Sequence, residues 1–143
     1  MDIRTITAGY AVSPQITPED VPAIKAAGFV RVICNRPDAE IPADLRADKI
    51  RAAVEAAGME FVLNPVIGGA ITMDNVTTQG AALENAPGPV FAYCASGNRS
   101  TIVWGLSQAG KVDTPELIQA AARAGYNLEI WQDQINALAR NRG

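Results

Sequence analysis

The stretch at residues 89–100, PVFAYCASGNRS, constrains the fold more than any other part of this sequence. Four apolar residues after a Pro-Gly-Pro run predict a short buried strand. Residues 94–99 are small or polar and include a glycine, which predicts a tight loop, and residues 100–109 then form a predicted helix that Gly110 ends. A strand that leads through a tight loop into a helix is typical of an α/β anion-binding site, because backbone N–H groups and the helix dipole converge there.

This loop begins with a thiol and ends with a guanidinium. The helix dipole and Arg99 both favour the thiolate form of Cys94, so we predict that this cysteine is a nucleophile. Arg99 can bind an oxyanion through two parallel N–H groups, which a lysine cannot do. The residues between them form the predicted anion-binding backbone: Ala95, Ser96, Gly97 and Asn98. The alternative interpretation is a buried structural cysteine next to a serine that caps the helix.

Composition limits the classes of protein to which the chain can belong. Its 143 residues suit a single domain over 1–143, and 48% hydrophobic with 19% charged residues indicates an ordinary globular protein. A net charge of −3 without a basic run argues against a nucleic-acid partner. No apolar stretch approaches the length of a membrane span, and the first residues do not resemble a secretory signal. We therefore expect a cytoplasmic protein without a membrane partner.

The sequence contains no histidine. This excludes Ser-His-Asp and Cys-His catalysis, and it excludes a zinc site with histidine ligands. The acidic residues are scattered and the two cysteines are not spaced as metal ligands, so we expect neither a metal nor a cofactor. Any nucleophile must therefore be activated by a dipole, a cation or an acid.

Strand and helix patterns alternate along the chain. Strands are predicted at residues 3–6, 10–12, 29–34, 59–63 and 90–93. Helices are predicted from 17 to Gly28, and over 48–57, 72–85, 100–109, 113–125 and 127–140. This alternation predicts an α/β fold with a mainly parallel sheet and helices on both faces. Ligands bind such sheets at the carboxyl ends of the strands, so the important loops follow Cys34, Leu63 and Tyr93.

The helix at 100–109 is apolar nearly all round, which predicts a buried central helix. The last helix carries an apolar stripe, which we interpret as core rather than as a partner surface: Leu128, Trp131, Ile135 and Leu138.

The run YCASGNRS resembles the Cys-x-x-Gly-x-Arg-Ser signature of the DUF442 family, the phosphatase-like domain of beta-lactamase hydrolase-like proteins. Some members of that family are named sulfur transferases. The resemblance also includes NRPDAE at 35–40, NPV at 64–66 and PGP at 87–89, and it covers residues 3–110. The family is similar in fold to the dual-specificity tyrosine phosphatases. The resemblance implies a three-layer phosphatase-like domain in which Cys94 and Arg99 act together.

Three charged residues outside the loop are further candidates. Arg36 lies at the carboxyl edge and could hold a second anionic group of a substrate, while Asp38 could act as an acid. The alternative is a turn held by an Arg36–Asp38 pair and a proline. In the phosphatases that this chain resembles, a loop near residues 66–71 carries the aspartate that protonates the leaving group. That loop has none here, and the nearest carboxylate, Asp74, has a simpler interpretation as a favourable charge in the first turn of a helix.

Two further side chains have more than one interpretation. Ser100 could hydrogen-bond the Cys94 sulfur or assist its release, and it could also cap the helix. Cys34 could be a resolving thiol for Cys94, or it could be a small buried apolar residue at the end of a strand.

Three functions fit these residues. A cysteine phosphatase would attack phosphorus, but three features argue against it. Phosphatase loops have five residues between cysteine and arginine, where this loop has four. Tyr93 stands in place of a histidine, and the general acid is missing from its expected loop. A rhodanese-type sulfurtransferase has a four-residue loop and releases sulfite, which needs no strong acid. A non-catalytic anion-binding or redox-sensing module is the third. The expected partners are a small anion, such as thiosulfate, a persulfide or a phosphoester, and for sulfur transfer a thiol acceptor. We favour sulfur transfer.

Overall fold

Five short strands form one sheet in the computed structural model, which describes residues 1–142. They are β1 (Arg4–Thr7), β2 (Tyr10–Ser13), β3 (Arg31–Cys34), β4 (Glu60–Leu63) and β5 (Val90–Tyr93). The spatial order is β1-β2-β5-β3-β4, and only the β1–β2 hairpin is antiparallel. The predicted, mainly parallel sheet is therefore confirmed.

Within the described residues, six α-helices follow the predicted order. They are α1 (Val21–Ala26), α2 (Ala47–Ala56), α3 (Met73–Glu84), α4 (Asn98–Ser107), α5 (Thr114–Arg123) and α6 (Gln132–Arg142). Short 3₁₀ turns at Pro18–Asp20, Asp38–Glu40, Ala43–Leu45 and Glu129–Trp131 complete the helical structure. Within residues 1–142 none of the helices combines the length and the apolar character needed to cross a membrane.

Three predicted helix starts are wrong. The first helix is α-helical only from Val21, because residues 18–20 form a 3₁₀ turn. The central helix begins at Asn98 rather than at residue 100, because Gly97 turns the chain with a φ of 91° and its carbonyl accepts the Thr101 N–H at 3.0 Å. The last helix does not begin at residue 127. The Asn127 side chain accepts the Glu129 N–H at 2.9 Å, and this local bond favours a turn before the helix starts.

The sheet has a separate apolar core on each face. In β5, Val90 and Ala92 point to one side, while Phe91 and Tyr93 point to the other. The first side packs against α3, α4, α5 and α6, and the second against α1 and α2. Helices therefore cover both faces, which gives the predicted three layers and explains why the strands are apolar runs rather than alternating patterns.

Helix α4 is the buried central helix, since every residue from Ser100 to Ser107 is buried. Gly105 allows the tail to approach it, because a Cβ at this position would lie 2.8 Å from the Leu128 Cδ1. Leu128 and Ile135 are fully buried, and Trp131 and Leu138 pack against the same core. The prediction that the C-terminal apolar stripe is core is confirmed.

The strand register brings four loops to one edge of the sheet. Tyr93 pairs with Ser13 on one side and with Cys34 on the other, and Cys34 pairs with Leu63. The four parallel strands therefore end level with one another. The segments that follow them, at residues 14–15, 94–99, 35–40 and 64–71, meet at this carboxyl edge.

The stability of the tail can be tested with two neighbouring positions. Leu128 is 0% exposed and packs on α4, whereas Ile130 is 74% exposed. We expect Leu128→Ala to lower the free energy of unfolding by about 2–5 kcal/mol, because it removes buried methyl groups and leaves a cavity. Ile130→Ala should change it by no more than about 0.5 kcal/mol. Urea denaturation of both variants measures this, and equal effects would contradict the packing described.

Candidate active site

The loop between β5 and α4 curls around the sulfur of Cys94. The Gly97 N–H donates to the Cys94 Sγ at 3.1 Å, and Cys94 is 0% exposed. The segment that follows β2 contacts the loop, since the Gln15 N–H donates to the Ala95 carbonyl at 3.4 Å. The predicted nucleophile therefore lies buried at the base of the loop.

The loop offers several free backbone donors. The Asn98 N–H donates to the Ser96 Oγ at 3.3 Å. Within residues 1–142, four other N–H groups of this segment have no protein acceptor: those of Ala95, Ser96, Arg99 and Ser100. Two of them belong to the first turn of α4, where the helix leaves its N–H groups unpaired. Such a group of donors at a helix N-terminus can hold an anion.

Arg99 is held at one end and free along one side. Its Nη1 and Nη2 donate to the two carboxylate oxygens of Glu40 at 2.8 and 2.7 Å, and Nη1 also donates to the Val66 carbonyl at 2.8 Å. A guanidinium has five N–H groups, so the Nε proton and one Nη2 proton remain on the same side. Glu40 raises the pKa of Arg99 most, and Cys94 makes a smaller contribution in the same direction. The free side can therefore bind an oxyanion next to the sulfur.

Glu40 is the carboxylate closest to this chemistry, and sequence reasoning did not single it out. Arg99 lowers the pKa of the Glu40 carboxyl, and Arg36 adds a weaker contact at 3.3 Å. A carboxylate between two guanidinium groups stays ionised at neutral pH, so it cannot donate a proton to a leaving group. The sequence does contain a signal for Glu40, because it lies four residues after Arg36 in a loop at the carboxyl edge of the sheet.

The residues after β3 lie partly as predicted. Arg36 is at the rim of the site, where its Nη1 donates to the Gln15 Oε1 at 3.2 Å. The suggested Arg36–Asp38 pair is wrong, because Arg36 binds Glu40 instead. The Asp38 carboxylate accepts the Ala47 N–H at 2.9 Å and so caps the start of α2. Asp38 is thus engaged away from the loop, while a second anion at Arg36 stays a prediction.

The loop after β4 meets Arg99 through its backbone. The Val66 carbonyl is the contact, and Gly69, with a φ of 78°, turns the exposed part of this loop. Asp74 is exposed in the first turn of α3, where Thr72 caps the helix by accepting the Asn75 N–H at 3.1 Å. The interpretation of Asp74 as a helix-start charge is confirmed. A role for it as an acid stays a prediction.

The Ser100 hydroxyl bonds to Asn35. It donates to the Asn35 Oδ1 at 2.8 Å, and both residues are fully buried. This bond joins α4 to a network of polar side chains behind the loop, formed by Tyr10, Asn35, Asn64, Asn75, Gln79 and Ser100. The proton of Ser100 is used in this network, and a role at the Cys94 sulfur stays a prediction.

Cys34 lies in the apolar core on the face of α1 and α2. It is a free thiol that is 0% exposed, and burial raises its pKa. Its Sγ donates to the Arg36 carbonyl at 3.4 Å. These features agree with a small buried residue. In the part of the chain that the structure describes, no group of three or more His, Cys, Asp or Glu side chains could hold a metal.

Tyr126 supports the loop from the C-terminal tail, and nothing in the sequence pointed to it. Its hydroxyl donates to the Ser96 carbonyl at 2.8 Å, and the Arg4 guanidinium stacks over its ring at 5.3 Å from the centroid. A Cβ on Gly97 would lie 2.2 Å from the Tyr126 hydroxyl oxygen. Glycine is therefore required here both by its left-handed φ and by this contact.

Comparison with known proteins places these features in a family context. Residues 2–111 match the family model described as beta-lactamase hydrolase-like protein, phosphatase-like domain. The chain is 32% identical over 111 residues to a beta-lactamase hydrolase-like protein of Agrobacterium fabrum, and 28% identical over 130 residues to one of Xylella fastidiosa. The alignments cover 76% and 90% of this chain but only 26% and 30% of those relatives.

Solved structures show the same fold. A candidate phosphatase of Neisseria meningitidis superposes with a TM-score of 0.82 at 32% identity, covering 96% of this chain and 99% of the other. A DUF442 protein of Shewanella putrefaciens gives a TM-score of 0.74 at 20% identity, with 99% and 93% of the two chains covered. The second likeness concerns the fold alone.

The close contact at Gly97 makes a prediction about the loop. We expect Gly97→Ala to lower the free energy of unfolding by at least about 1–2 kcal/mol, because an alanine at this φ is strained. It should also slow alkylation of Cys94, since the loop must move away from Tyr126. Gly68→Ala is the control, because a Cβ there meets nothing within 4 Å. If Gly97→Ala were as stable as wild type and its Cys94 were alkylated at the same rate, the contact between Gly97 and Tyr126 would be contradicted.

The ion pair between Arg99 and Glu40 makes a prediction about pH. Because the pKa of folded Glu40 lies below its ordinary value of 4.5, the unfolded chain binds the proton more readily. The stabilisation is therefore complete above pH 4.5 and is lost as the pH falls through the lower, folded value. We expect wild type to be more stable than Glu40→Gln at pH 7, and the difference to shrink below pH 4.5.

Urea denaturation between pH 3 and pH 7 measures this difference, because an uncharged denaturant does not screen the ion pair. Glu84→Gln is the control, because Glu84 forms only an exposed pair with Lys111 at 3.5 Å and should contribute little at pH 7. A gap between wild type and Glu40→Gln that does not change with pH would contradict the ion pair.

Proposed function

Because the chain belongs to the family of phosphatase-like domains found in beta-lactamase hydrolase-like proteins, we propose that it is a cysteine-dependent group-transfer enzyme. Within that class we propose a rhodanese-type sulfurtransferase, which takes sulfane sulfur from thiosulfate or a persulfide and passes it to a thiol. Cys94 is the nucleophile, and Arg99 with the loop amides binds the anionic group.

The first step forms a persulfide. The Cys94 thiolate attacks the outer sulfur of thiosulfate, a new S–S bond forms, and the bond between the two thiosulfate sulfurs breaks. Sulfite leaves with the electron pair of that bond, and no proton is transferred. The free side of Arg99 stabilises the sulfonate oxygens as sulfite departs, while the amides of the loop surround the outer sulfur. A second charged group on a larger donor would be held by Arg36 at the rim.

The second step returns the enzyme to its starting form. The thiolate of an acceptor attacks the outer sulfur of the Cys94 persulfide. The S–S bond on Cys94 breaks, and the acceptor leaves as a persulfide while Cys94 becomes a thiolate again. Between the two steps the loop must hold an anionic persulfide, which its unpaired N–H groups can do.

The position of the carboxylates carries this proposal. Glu40 stays ionised between Arg99 and Arg36, so it is not a proton donor. Asp38 accepts the Ala47 N–H, and Asp74 is exposed at the start of α3. A phosphate ester with a poor leaving group needs a general acid, whose loss typically costs about 10²–10⁴ in rate. Sulfite needs none, so this arrangement suits sulfur transfer better.

The size of the loop supports the same choice. Four residues separate Cys94 from Arg99, and Cys94 itself is fully buried. A short ring of amides leaves room for a small group at the sulfur, and the outer sulfur of thiosulfate is a single atom. A tetrahedral phosphoryl group must fit three oxygens into the same ring.

A phosphatase is the second candidate, and the family and fold relationships favour it. The matched family is described as phosphatase-like, and the 32% identical structure from Neisseria meningitidis is a candidate phosphatase. In this case Cys94 would attack phosphorus, Arg99 would bind the equatorial oxygens, and a phosphocysteine would be hydrolysed by water. A redox-sensing or anion-binding module without turnover is the third candidate.

The decisive experiment looks for the covalent intermediate. Purified protein is incubated with thiosulfate alone, and its intact mass is measured before a thiol acceptor is added. We expect a mass gain of one sulfur atom on Cys94, its loss on adding the acceptor, and continuous release of sulfite when donor and acceptor are both present. Arg99→Lys should lower the rate of persulfide formation by about tenfold or more, because it loses the bidentate contact.

Cys94→Ser and Cys34→Ser are the matched controls. The mass gain should disappear in Cys94→Ser and persist in Cys34→Ser, because Cys34 is buried in the apolar core. The same proteins are tested with an aryl phosphate. Phosphate release that depends on Cys94, without a persulfide, would overturn sulfur transfer in favour of the phosphatase. Activity with neither substrate would favour the module without turnover.

A further inference from the structure

A buried glutamine lies at the centre of the polar network behind the loop. Gln79 is on α3, is 0% exposed and contacts no part of the anion-binding loop through the hydrogen bonds of its side chain. Burying an amide is costly unless its donors and acceptors are paired. Its presence inside the molecule therefore needs an explanation in terms of what it holds.

All four hydrogen-bonding positions of this amide are used. The Gln79 Oε1 accepts from the Asn35 Nδ2 and from the Asn64 Nδ2, both at 2.9 Å. The Gln79 Nε2 donates to the Tyr10 hydroxyl at 3.0 Å and to the Asn35 Oδ1 at 3.4 Å. Tyr10 begins β2, Asn35 directly follows β3 and Asn64 directly follows β4, so one side chain joins segments from three strands.

The network reaches the backbone of Arg99 through its neighbour Ser100. The Ser100 hydroxyl donates to the Asn35 Oδ1 at 2.8 Å, and the Ser100 carbonyl accepts from the Tyr10 hydroxyl at 2.8 Å. Both Asn35 and Tyr10 are bonded to Gln79. Asn35 and Tyr10, which both bond to Gln79, thus each bond to the first turn of α4.

The network also reaches the guanidinium of Arg99 through the segment after β4. The Val66 N–H donates to the Asn35 carbonyl at 2.9 Å, and the Val66 carbonyl accepts from the Arg99 Nη1 at 2.8 Å. Asn64, two residues earlier, is bonded directly to Gln79. The same amide therefore fixes the loop that presents a carbonyl to Arg99.

We propose that Gln79 is a positioning residue of the active site, which orients Arg99 for anion binding by fixing Ser100 on its backbone side and the 64–66 segment on its guanidinium side. It does not touch the substrate. The proposal rests on the proposed function only in requiring that Arg99 binds an anion beside Cys94. The positioning role of Gln79 is the same whether the bound anion is a sulfonate or a phosphoryl group.

The test uses two alkylating reagents of nearly the same size. Iodoacetate and iodoacetamide both react when the thiolate attacks carbon, an S–C bond forms and iodide leaves with its electron pair. Only iodoacetate carries a negative charge that Arg99 can bind. The ratio of the two rates at Cys94, measured by mass spectrometry of the peptide that contains it, therefore reports anion positioning separately from the reactivity of the thiol.

The main variant is Gln79→Met, which keeps the volume and removes the hydrogen bonds. We expect the iodoacetate to iodoacetamide ratio to fall by about tenfold, which is the effect of losing one well-placed charge-assisted hydrogen bond. In an Arg99→Ala background the ratio should already be low, and Gln79→Met should lower it no further. A residue that merely stabilised the fold would change both alkylation rates together and leave the ratio unaltered.

Two further variants keep the test decisive. Ser107→Ala is the control on α4, the helix that carries Arg99. Ser107 is fully buried, and within residues 1–142 its hydroxyl bonds only to the Trp104 carbonyl and to the Gln108 side chain. Its ratio should stay within about twofold of wild type. Tyr10→Phe removes one hydroxyl of the network while the ring keeps its stacking on Trp104. It should lower the ratio in the same direction, and it decides the question if Gln79→Met does not fold.

The outcomes separate this proposal from the proposed function. An unchanged ratio in folded Gln79→Met, or in Tyr10→Phe when the first variant is unfolded, overturns the positioning role. An equal fall in the Arg99→Ala background overturns it as well. If the wild-type ratio is no higher than that of Arg99→Ala, the anion-binding role of Arg99 fails and both proposals fall. A lowered ratio in a protein that forms no persulfide supports the positioning role and removes only sulfur transfer.

Discussion

The guanidinium of Arg99 is the group on which the rest of the site depends. It bonds to a carboxylate from the loop after β3 and a carbonyl from the loop after β4, while its own backbone lies in the first turn of α4. One end of the guanidinium is therefore fixed, and the side next to Cys94 stays free for a ligand. A flexible arginine would lose conformational entropy on binding an anion, whereas this one has already lost it during folding.

The charges around the loop are balanced to bind an anion without supplying a proton. Glu40 offsets part of the positive charge of Arg36 and Arg99, and it remains ionised because they surround it. Two guanidinium groups balance one carboxylate and the thiolate of the mechanism, and the N-terminus of α4 adds partial positive charge for a bound anion. This arrangement suits a leaving group that departs as a stable anion. It is less suited to an alkoxide, which must be protonated as it leaves.

The sheet topology explains why residues so distant in sequence form one site. Parallel strands with level ends bring residues 15, 36, 40, 66 and 94–99 to one edge, although they span most of the chain. The support behind the loop has the same origin. Asn35 and Asn64 follow β3 and β4 directly, and Gln79 reaches both from the helix that packs across them. The tail contributes as well, since Tyr126 closes the loop from the opposite side.

Much of the fold and the central loop could be read from the sequence, because they depend on local patterns. The mainly parallel sheet is predicted by the apolar runs, by Gly and Pro residues at the turns, and by the alternation of strand and helix. The run from Tyr93 to Ser100 predicts a strand, a loop and a helix with a thiol and a guanidinium at fixed spacing. The absence of histidine excludes imidazole chemistry whatever the fold. Only the tertiary structure could decide which carboxylate meets Arg99, that Asp38 caps α2 instead, and that Gln79 and Tyr126 support the site. The contacts of Glu40 with Arg99, of Asn35 with Gln79 and of Ser96 with Tyr126 join residues 30 to 59 positions apart. Strand order and register decide these partners, and no local pattern encodes them.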